Sequence, residues 1–285
     1  MKNREIIERI LQYHPAMPDY QGCDGYKSGD PDAECTGVVC ALVPTVEVIR
    51  KAAVLGANLL VVHEPIYYMT PDFPQWRGPF ENRVYEEKRA LLRQTGITVW
   101  RDHDHLHAHR PDGIFTGVLK YLGWETYYHP ETTKVPFCYP CDLPTTTVAE
   151  LRRFLMEKLH LNGLRYIGNP DATVSRVALC AHLYPGGFCP SPAGDVYADY
   201  ATLLIGEMEK ENGIEVLIPG EIIEWDILSY IRDAAALGKN KACMNIGHFN
   251  LEELGMRFMA DWLPDLTDGT VSVTYVPTGD IFRYG

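Results

Sequence analysis

The chain alternates short apolar runs with stretches in which apolar residues recur at helical spacing. The runs are rich in β-branched and aliphatic residues and predict buried strands at 36–42, 58–62, 96–100, 174–180, 215–218, 241–246 and 271–276. The helical spacing predicts helices at 45–54, 83–95, 114–123, 148–159 and 225–237. Strands that alternate with helices are typical of an α/β protein.

Capping residues mark where several of these helices begin and end. Thr45 is placed to cap the helix that runs to Val54, and Gly56 occupies the position after its last turn. Thr147 caps the helix at 148–159 in the same way. Asn250, with Glu253 three residues later, forms a capping-box pattern that predicts a helix start at that point.

A proline-bearing stretch between Tyr127 and Thr147 interrupts the pattern near the middle of the chain. It holds prolines 130, 136, 140 and 144, which are poorly tolerated within helices and central strands. We therefore predict a first α/β lobe over residues 1–126 and a second over 127–285. The C-terminal strand at 271–276 is a candidate to return to the first lobe.

The composition of the chain argues against a membrane protein, a secreted protein and a nucleic-acid-binding protein. Of 285 residues, 46% are hydrophobic and 22% charged, which is ordinary for a globular protein, and neither a secretory signal nor a membrane-length apolar run is visible. We expect a cytoplasmic protein with no membrane partner. The net charge of -12 argues against a nucleic-acid surface, which needs clustered Lys and Arg. Cys138 and Cys141 form a lone C-x-x-C without a second pair, so we expect reduced thiols.

Residues able to bind metals follow the predicted strands. Ligands in open α/β sheets bind at the carboxyl ends of strands. After 58–62 come His63 and Glu64, and after 241–246 come His248 and Glu252. The remaining candidates follow 96–100, 174–180 and 215–218, and they are His103, His105, His107, His109, His182 and Glu221.

Each candidate also has a structural alternative. His63 before Glu64-Pro65 is a weak signal by itself, and His248 with Glu252 could be a hydrogen-bonded pair at a helix N-terminus. The four histidines at 103–109 would share one face if the strand continued, where neutral imidazoles around a cation avoid mutual repulsion. A solvated histidine-rich loop is the alternative. Glu221 could be surface or site, and His182 fits a supporting or substrate-binding role better than a ligand role.

Several segments resemble, in order, the Nif-three-like dinuclear-metal family, whose members are often called GTP cyclohydrolase 1 type 2. These are 24–31, 36–38, 45–49, 56–65, 96–113, 218–221 and 247–255. The resemblance implies two α/β lobes with mixed sheets, a dinuclear metal centre in the cleft between them, and a homo-hexamer. The turn at 181–187 departs from the glycine-rich turn of that family.

The resemblance also implies a ligand set. His63 matches the first residue of a family His-His pair, and Glu64 stands in place of the second. His107 replaces the Asp of a His-x-x-x-Asp motif that begins at His103. The late Gly-His-x-x-x-Glu is matched by His248 and Glu252, of which the glutamate can bridge the two metals.

These features predict a metal-dependent hydrolase. Two divalent ions, Zn, Mn, Fe or Mg, would polarise a substrate oxygen and acidify a water molecule, while His103, His105 or Glu221 move protons or orient ligands. The expected substrate is a small nucleotide-like or phosphorylated metabolite, in keeping with the GTP cyclohydrolase label. The alternative is a non-enzymatic protein that stores or delivers metal. Metal phosphoesterase or amidohydrolase barrels are disfavoured because they need about eight strand-helix units.

Overall fold

The computed structural model describes residues 1–69, 72–73, 75–183 and 200–285. The chain forms two compact units, each built on its own mixed sheet. Unit 1 consists of 1–118 and 253–279, and unit 2 consists of 119–252 and 280–285. The predicted α/β class is confirmed. The chain passes from one unit to the other at Val118/Leu119, Glu252/Glu253 and Gly279/Asp280. The sequence placed the division at 126/127 and allowed the C-terminal strand to return to the first lobe.

The sheet of unit 1 has the order β1-β4-β3-β2-β10. Its strands are β1 (Gly25–Ser28), β2 (Val38–Ala41), β3 (Leu59–Val62), β4 (Thr98–Arg101) and β10 (Val273–Tyr275). The four strands from β4 to β10 run parallel, and β1 is antiparallel to β4. β2 and β3 are buried along their whole length, as continuous aliphatic runs in a parallel sheet should be. The C-terminal strand β10 pairs with β2.

The helices of unit 1 include the one that follows Thr45, the only helix among them for which capping residues were predicted. They are α1 (Asn3–Tyr13), α2 (Val46–Val54), α3 (Arg83–Thr95), α4 (Asp104–His107) and α5 (Gly113–Leu122), of which α5 ends in unit 2. The Thr45 side chain accepts a hydrogen bond from the Val48 backbone at the start of α2. Gly96 ends α3 in the left-handed conformation, which a residue with a Cβ atom adopts only at a cost.

The sheet of unit 2 has the order β5-β7-β8-β9-β6. Its strands are β5 (Cys138–Thr147), β6 (Arg165–Ile167), β7 (Thr173–Leu183), β8 (Val216–Ile222) and β9 (Ala242–Asn245). The prediction of a connecting segment at 127–147 was wrong over its second half, because that half forms β5. Among the described residues, β5 is an edge strand whose outer side makes only an isolated bridge between Tyr128 and Cys141. An edge strand tolerates proline because its outward amides need no partner in the sheet. Cys138 and Cys141 lie on β5 as buried free thiols.

The remaining helices are α6 (Val148–Lys158), α7 (Tyr200–Glu209), α8 (Ile227–Ala236) and α9 (His248–Leu266). α6 begins at Thr147 with the predicted capping box. The prediction of a helix start at Asn250 was wrong: α9 already begins at His248, and the Asn250 amide donates to the Ile246 carbonyl. Glu253 does not cap α9 either, because its carboxylate accepts hydrogen bonds from the Thr278 and Gly279 backbones.

None of the helices in the described part of the chain has both the length and the apolar character required to cross a lipid bilayer.

Candidate metal site

A helical turn, rather than a continued strand, arranges the histidines after β4. The strand ends at Arg101, and the Asp24 carboxylate accepts hydrogen bonds from the backbone amides of His103, Asp104 and His105 at 2.7, 3.1 and 2.9 Å. These bonds fix the beginning of the short helix α4. His103 and His107 are therefore one helical turn apart and lie on the same side. The predicted arrangement with period two, in which all four histidines share a face, was wrong.

His103 and His107 meet His63, which follows β3 in the same unit. The ring centroids are 4.4 Å apart for His63 and His103, 4.9 Å for His63 and His107, and 4.8 Å for His103 and His107. One donor atom from each of the three residues lies within 4.8 Å of the other two. We call this group the three-histidine cluster. It brings together two predicted metal ligands, His63 and His107, and one predicted catalytic residue, His103.

Each ring of the three-histidine cluster has a hydrogen-bond acceptor at its Nδ1 atom. The acceptor is the Asp102 carbonyl for His63 at 3.1 Å, the Asp104 carboxylate for His103 at 2.8 Å and the Asp112 carboxylate for His107 at 2.8 Å. An acceptor at Nδ1 keeps the hydrogen on that atom, so the lone pair resides on Nε2. Histidines that bind metals almost always have such a partner at the other nitrogen.

Electrostatics favour neutral imidazole in this cluster. Burial lowers the pKa of His103, and the neighbouring His63 lowers it further. The hydrogen bond from His103 holds the pKa of Asp104 far below its ordinary value, so this carboxyl stays ionised. A neutral ring beside an ionised carboxylate is the form in which histidine binds a divalent cation.

Glu64, also a predicted ligand, is held by a buried arginine. A carboxylate oxygen of Glu64 lies within 4.8 Å of a ring nitrogen of His63. Its Oε2 is 3.7 Å from Nη2 of Arg101, which is 2% exposed. Arg101 Nε also donates to the His63 carbonyl at 2.9 Å, and Nη1 lies 3.6 Å from Asp72. The Arg101 side chain thus fixes the loop that carries both His63 and Glu64.

Unit 2 contains a second group, which we call the His182–His248 cluster: His182, Glu221, His248 and Glu252. His248 Nε2 lies 3.0 Å from Glu252, one turn later in α9, and its Nδ1 lies 3.3 Å from Glu221. His182 is 3.6 Å from Glu221 and 3.9 Å from Glu252. Donor atoms of His182, His248 and Glu252 all lie within 4.8 Å of one another.

His182 and Glu221 lie within strands, although the sequence placed both just after strand ends. β7 extends to Leu183 and β8 to Ile222, and the two residues are direct partners in that parallel pair. The register therefore sets their side chains next to each other. His182 is close enough to its neighbours to be a ligand candidate, beyond the supporting role predicted for it. The altered turn at 181–187 falls outside the described residues from position 184 onward.

The structure holds His105 away from the three-histidine cluster. Its Nδ1 lies 2.7 Å from Asp24, and its ring packs on Tyr20 with centroids 4.7 Å apart. His109 contacts His14, with 2.8 Å between the ring nitrogens, and His14 in turn lies 2.9 Å from Asp102. His14, Asp102 and His105 are buried, whereas Tyr20 and His109 are half-buried.

Sequence reasoning missed the supporting residues Asp24, Cys23, Asp104 and Asp112. The signal for Asp24 was its place in the family-like segment 24–31, and Asp104 lies between two candidate histidines. Cys23 Sγ is 3.5 Å from Asp104, and burial raises the pKa of this thiol to about 12. In the metal-free chain the Cys23 thiol donates a hydrogen bond to Asp104, and ligand atoms of Cys23, His103 and Asp104 lie within 4.8 Å of one another.

Several known proteins are similar to this chain in sequence or in fold. A curated relative, the GTP cyclohydrolase 1 type 2 homolog of Clostridium perfringens, is 22% identical over 259 residues, which is 88% of this chain and 87% of the relative. Protein SA1388 of Staphylococcus aureus has a similar structure, with a TM-score of 0.71 and 19% identity, over 100% of this chain and 99% of that one. A protein of Bacillus cereus related to NIF3 has a TM-score of 0.70 and 14% identity, over 100% of this chain and 99% of that one. At these identities the solved structures show the fold alone.

The family model of Duf34/NIF3 (NGG1p interacting factor 3) matches residues 1–182, well over half of the chain. This match confirms the family that the sequence segments indicated. The protein belongs to the Duf34/NIF3 family.

Proposed function

We propose that this protein binds two divalent metal ions, one at the three-histidine cluster and one at the His182–His248 cluster, and uses them to hydrolyse a small metabolite. The observation that carries the proposal is the common orientation of His63, His103 and His107. Each has an acceptor at Nδ1, and their donor atoms converge within 4.8 Å. Three imidazoles held in this way suit Zn, Mn or Fe, which accept nitrogen and carboxylate ligands.

The charges of the His182–His248 cluster also suit a cation. His248 has a carboxylate at each ring nitrogen, and the Glu252 side chain is only 1% exposed. Two carboxylates around two imidazoles need positive charge for balance, from protons or from a metal ion. Mg would favour the carboxylate oxygens and tolerate fewer nitrogen ligands, so it fits this cluster better than the three-histidine cluster.

Bound divalent ions would supply Lewis acidity, which polarises a substrate oxygen and makes water a better nucleophile at neutral pH. Glu221 is the residue best placed to move a proton. Its side chain is 64% exposed, it borders a cavity of about 600 Å³, and its Oε1 lies 3.3 Å from His248. His103 belongs to the three-histidine cluster itself, while the contact with Asp24 holds His105 outside that cluster.

We further propose a nucleotide-like or phosphorylated substrate, which the name of the Clostridium relative supports. Family resemblance also supports a dinuclear centre and a homo-hexamer. Exchange coupling in the electron paramagnetic resonance spectrum of the Mn-loaded protein would test for the dinuclear centre. Sedimentation velocity would test for the hexamer.

Metal content per chain is the decisive experiment. Close to two ions per wild-type chain are expected, and about one in each of the variants His107→Ala and His248→Ala. The double variant should hold almost none. His129→Ala is the matched control, because that histidine is 41% exposed and pairs with Glu131 outside both clusters. A chain that takes up no Zn, Mn or Fe would refute the proposal.

Turnover separates an enzyme from a protein that stores or delivers metal. An enzyme should retain its metal during dilution and hydrolyse at least one compound in a screen of nucleotides and phosphoesters. Glu221→Gln should then lower kcat, expressed per bound metal ion, about a hundredfold or more. Rapid release of metal to a chelator, with no hydrolysis of any compound, would instead favour metal handling.

A further inference from the structure

We propose that the C-terminal segment Asp280–Tyr284 forms one wall of a ligand pocket beside His248, and that this pocket selects a planar aromatic molecule bearing a phosphate group. The proposal rests on the proposed function and deepens it, since it assigns the residues that would recognise the two halves of such a substrate. It stands on the shape, surface and charge of a cavity that lies entirely within unit 2.

The cavity has the size of a small-molecule site. Its volume is about 600 Å³, in the middle of the range of cavities that hold drug-sized and cofactor-sized ligands. His248 and Glu221 line one side, so a ligand in the cavity would contact the His182–His248 cluster. The residues of the C-terminal segment, together with Phe249, line another side.

Two local contacts hold the C-terminal segment in place. The Tyr284 ring lies directly on Gly163, where an added Cβ atom would come within 2.4 Å of Cδ1 of the ring. A side chain at position 163 would therefore displace the tyrosine. At the other end, the Asp280 carboxylate accepts a hydrogen bond from the Phe282 backbone at 2.9 Å, which closes a tight turn. The residues between these contacts are presented at the cavity in a defined conformation.

The segment exposes apolar surface that the fold does not use. Ile281 is 63% exposed and Phe282 is 66% exposed, and both line the cavity. Large apolar side chains grouped at the mouth of a cavity mark a binding surface more often than isolated ones do. A flat ring such as that of Phe282 offers a stacking surface to a planar heterocycle.

The cavity lining carries two arginines, Arg165 and Arg283, and two carboxylates, Glu221 and Asp280. Arg165 already pairs with Glu224 at 2.9 Å. Arg283 is exposed, lines the cavity, and has no carboxylate within ion-pair distance in the described part of the chain. In a protein of net charge -12, an arginine left without an acidic partner beside a cavity is available for a ligand anion. The guanidinium fork matches the oxygens of a phosphate group.

In this proposal the Phe282 ring stacks on the base of a nucleotide and the Arg283 guanidinium binds its phosphate, so both halves of the nucleotide are recognised. AMP, adenosine and ribose 5-phosphate test this directly, because the last two each lack one half. Isothermal titration calorimetry on the metal-loaded full chain should give tighter binding for AMP than for either half. Arg283→Ala should weaken AMP and ribose 5-phosphate about tenfold and leave adenosine unchanged.

Phe282→Ala should weaken AMP and adenosine about tenfold and leave ribose 5-phosphate unchanged, and Phe282→Leu should recover only part of the loss. Arg153→Ala is the matched control, an exposed arginine on α6 that does not line the cavity. Because the substituted side chains are exposed, the unfolding midpoints of all variants should equal that of the wild type, which would confirm intact folding.

The inference is overturned if no probe binds, if AMP binds no tighter than its halves, or if the Arg283 and Phe282 variants keep wild-type affinity for AMP. Metal analysis on the same samples keeps this result distinct from the proposed function. If the chain binds AMP but no metal, the proposed hydrolase is refuted and the proposed pocket is supported. If the chain binds two metals but the Arg283 and Phe282 variants keep wild-type affinity for AMP, the pocket is refuted and the metal sites are supported.

Discussion

Asp112 performs two tasks that can be separated by substitution. Its Oδ2 lies 2.8 Å from His107 Nδ1, and its Oδ1 accepts hydrogen bonds from the Ile114 and Phe115 backbones at 2.9 and 3.1 Å at the beginning of α5. The first contact sets which ring nitrogen of His107 carries the hydrogen. The second caps a helix. Asp112→Asn should retain the cap, because asparagine caps helices as well as aspartate.

The asparagine amide would, however, donate toward Nδ1 of His107. The ring would then carry its hydrogen on Nε2, the atom that faces the three-histidine cluster, and metal binding would require the opposite form. Loss of such a supporting carboxylate costs about 10- to 100-fold in metal affinity, equivalent to roughly 1.4 to 2.7 kcal/mol. The unfolding free energy of the metal-free protein should change by less than about 0.5 kcal/mol.

The assay is a competition titration of Zn against a chelating dye, combined with urea unfolding of the metal-free protein. Asp112→Ala should lower both the zinc affinity and the unfolding free energy, the latter by about 1 to 2 kcal/mol because the helix cap is missing. Asn82→Ala is the matched control, because Asn82 caps α3 through the Tyr85 backbone at 3.0 Å and should affect stability alone. Wild-type zinc affinity in Asp112→Asn would refute the reasoning that Asp112 sets the tautomer of His107.

Three further outcomes follow from packing and protonation. Gly117→Ala should lower stability by about 1 to 3 kcal/mol, since the new Cβ atom would lie 2.8 Å from backbone atoms of Leu254 and Gly255, and an unchanged urea midpoint would contradict this. Gly206→Ala, on α7 with open space around it, should instead gain about 0.5 to 1 kcal/mol. Burial lowers the pKa of His103 in the folded metal-free protein, so the unfolded chain takes up that proton first and stability falls as the pH drops below about 6.5. His103→Gln should flatten this dependence in urea titrations between pH 7 and 5, and an equally steep profile would contradict the assignment.

Elements whose signals are local were predicted closely. The helix at 83–95 matches α3, and Thr147 caps α6 with its capping box as expected. Aliphatic runs located β2, β3 and β9 to within a few residues, because burial on both faces of a parallel sheet requires such runs. The pattern could not reveal β5. Its prolines are compatible with a strand only at a sheet edge, and edge position is a property of the assembled sheet.

In the candidate site, too, the sequence revealed local features and the tertiary structure decided how they are grouped. The sequence alone identified the candidate metal-binding residues, since the histidines and carboxylates at 63–64, 103–107 and 248–252 and the family segments around them can be read directly. Only the tertiary structure decided their grouping. Asp24, 79 residues before His103, fixes the turn that brings His103 and His107 together. The register of β7 against β8 sets His182 beside Glu221. Contacts between distant parts of a chain depend on how its elements pack, and local residue patterns do not encode that packing.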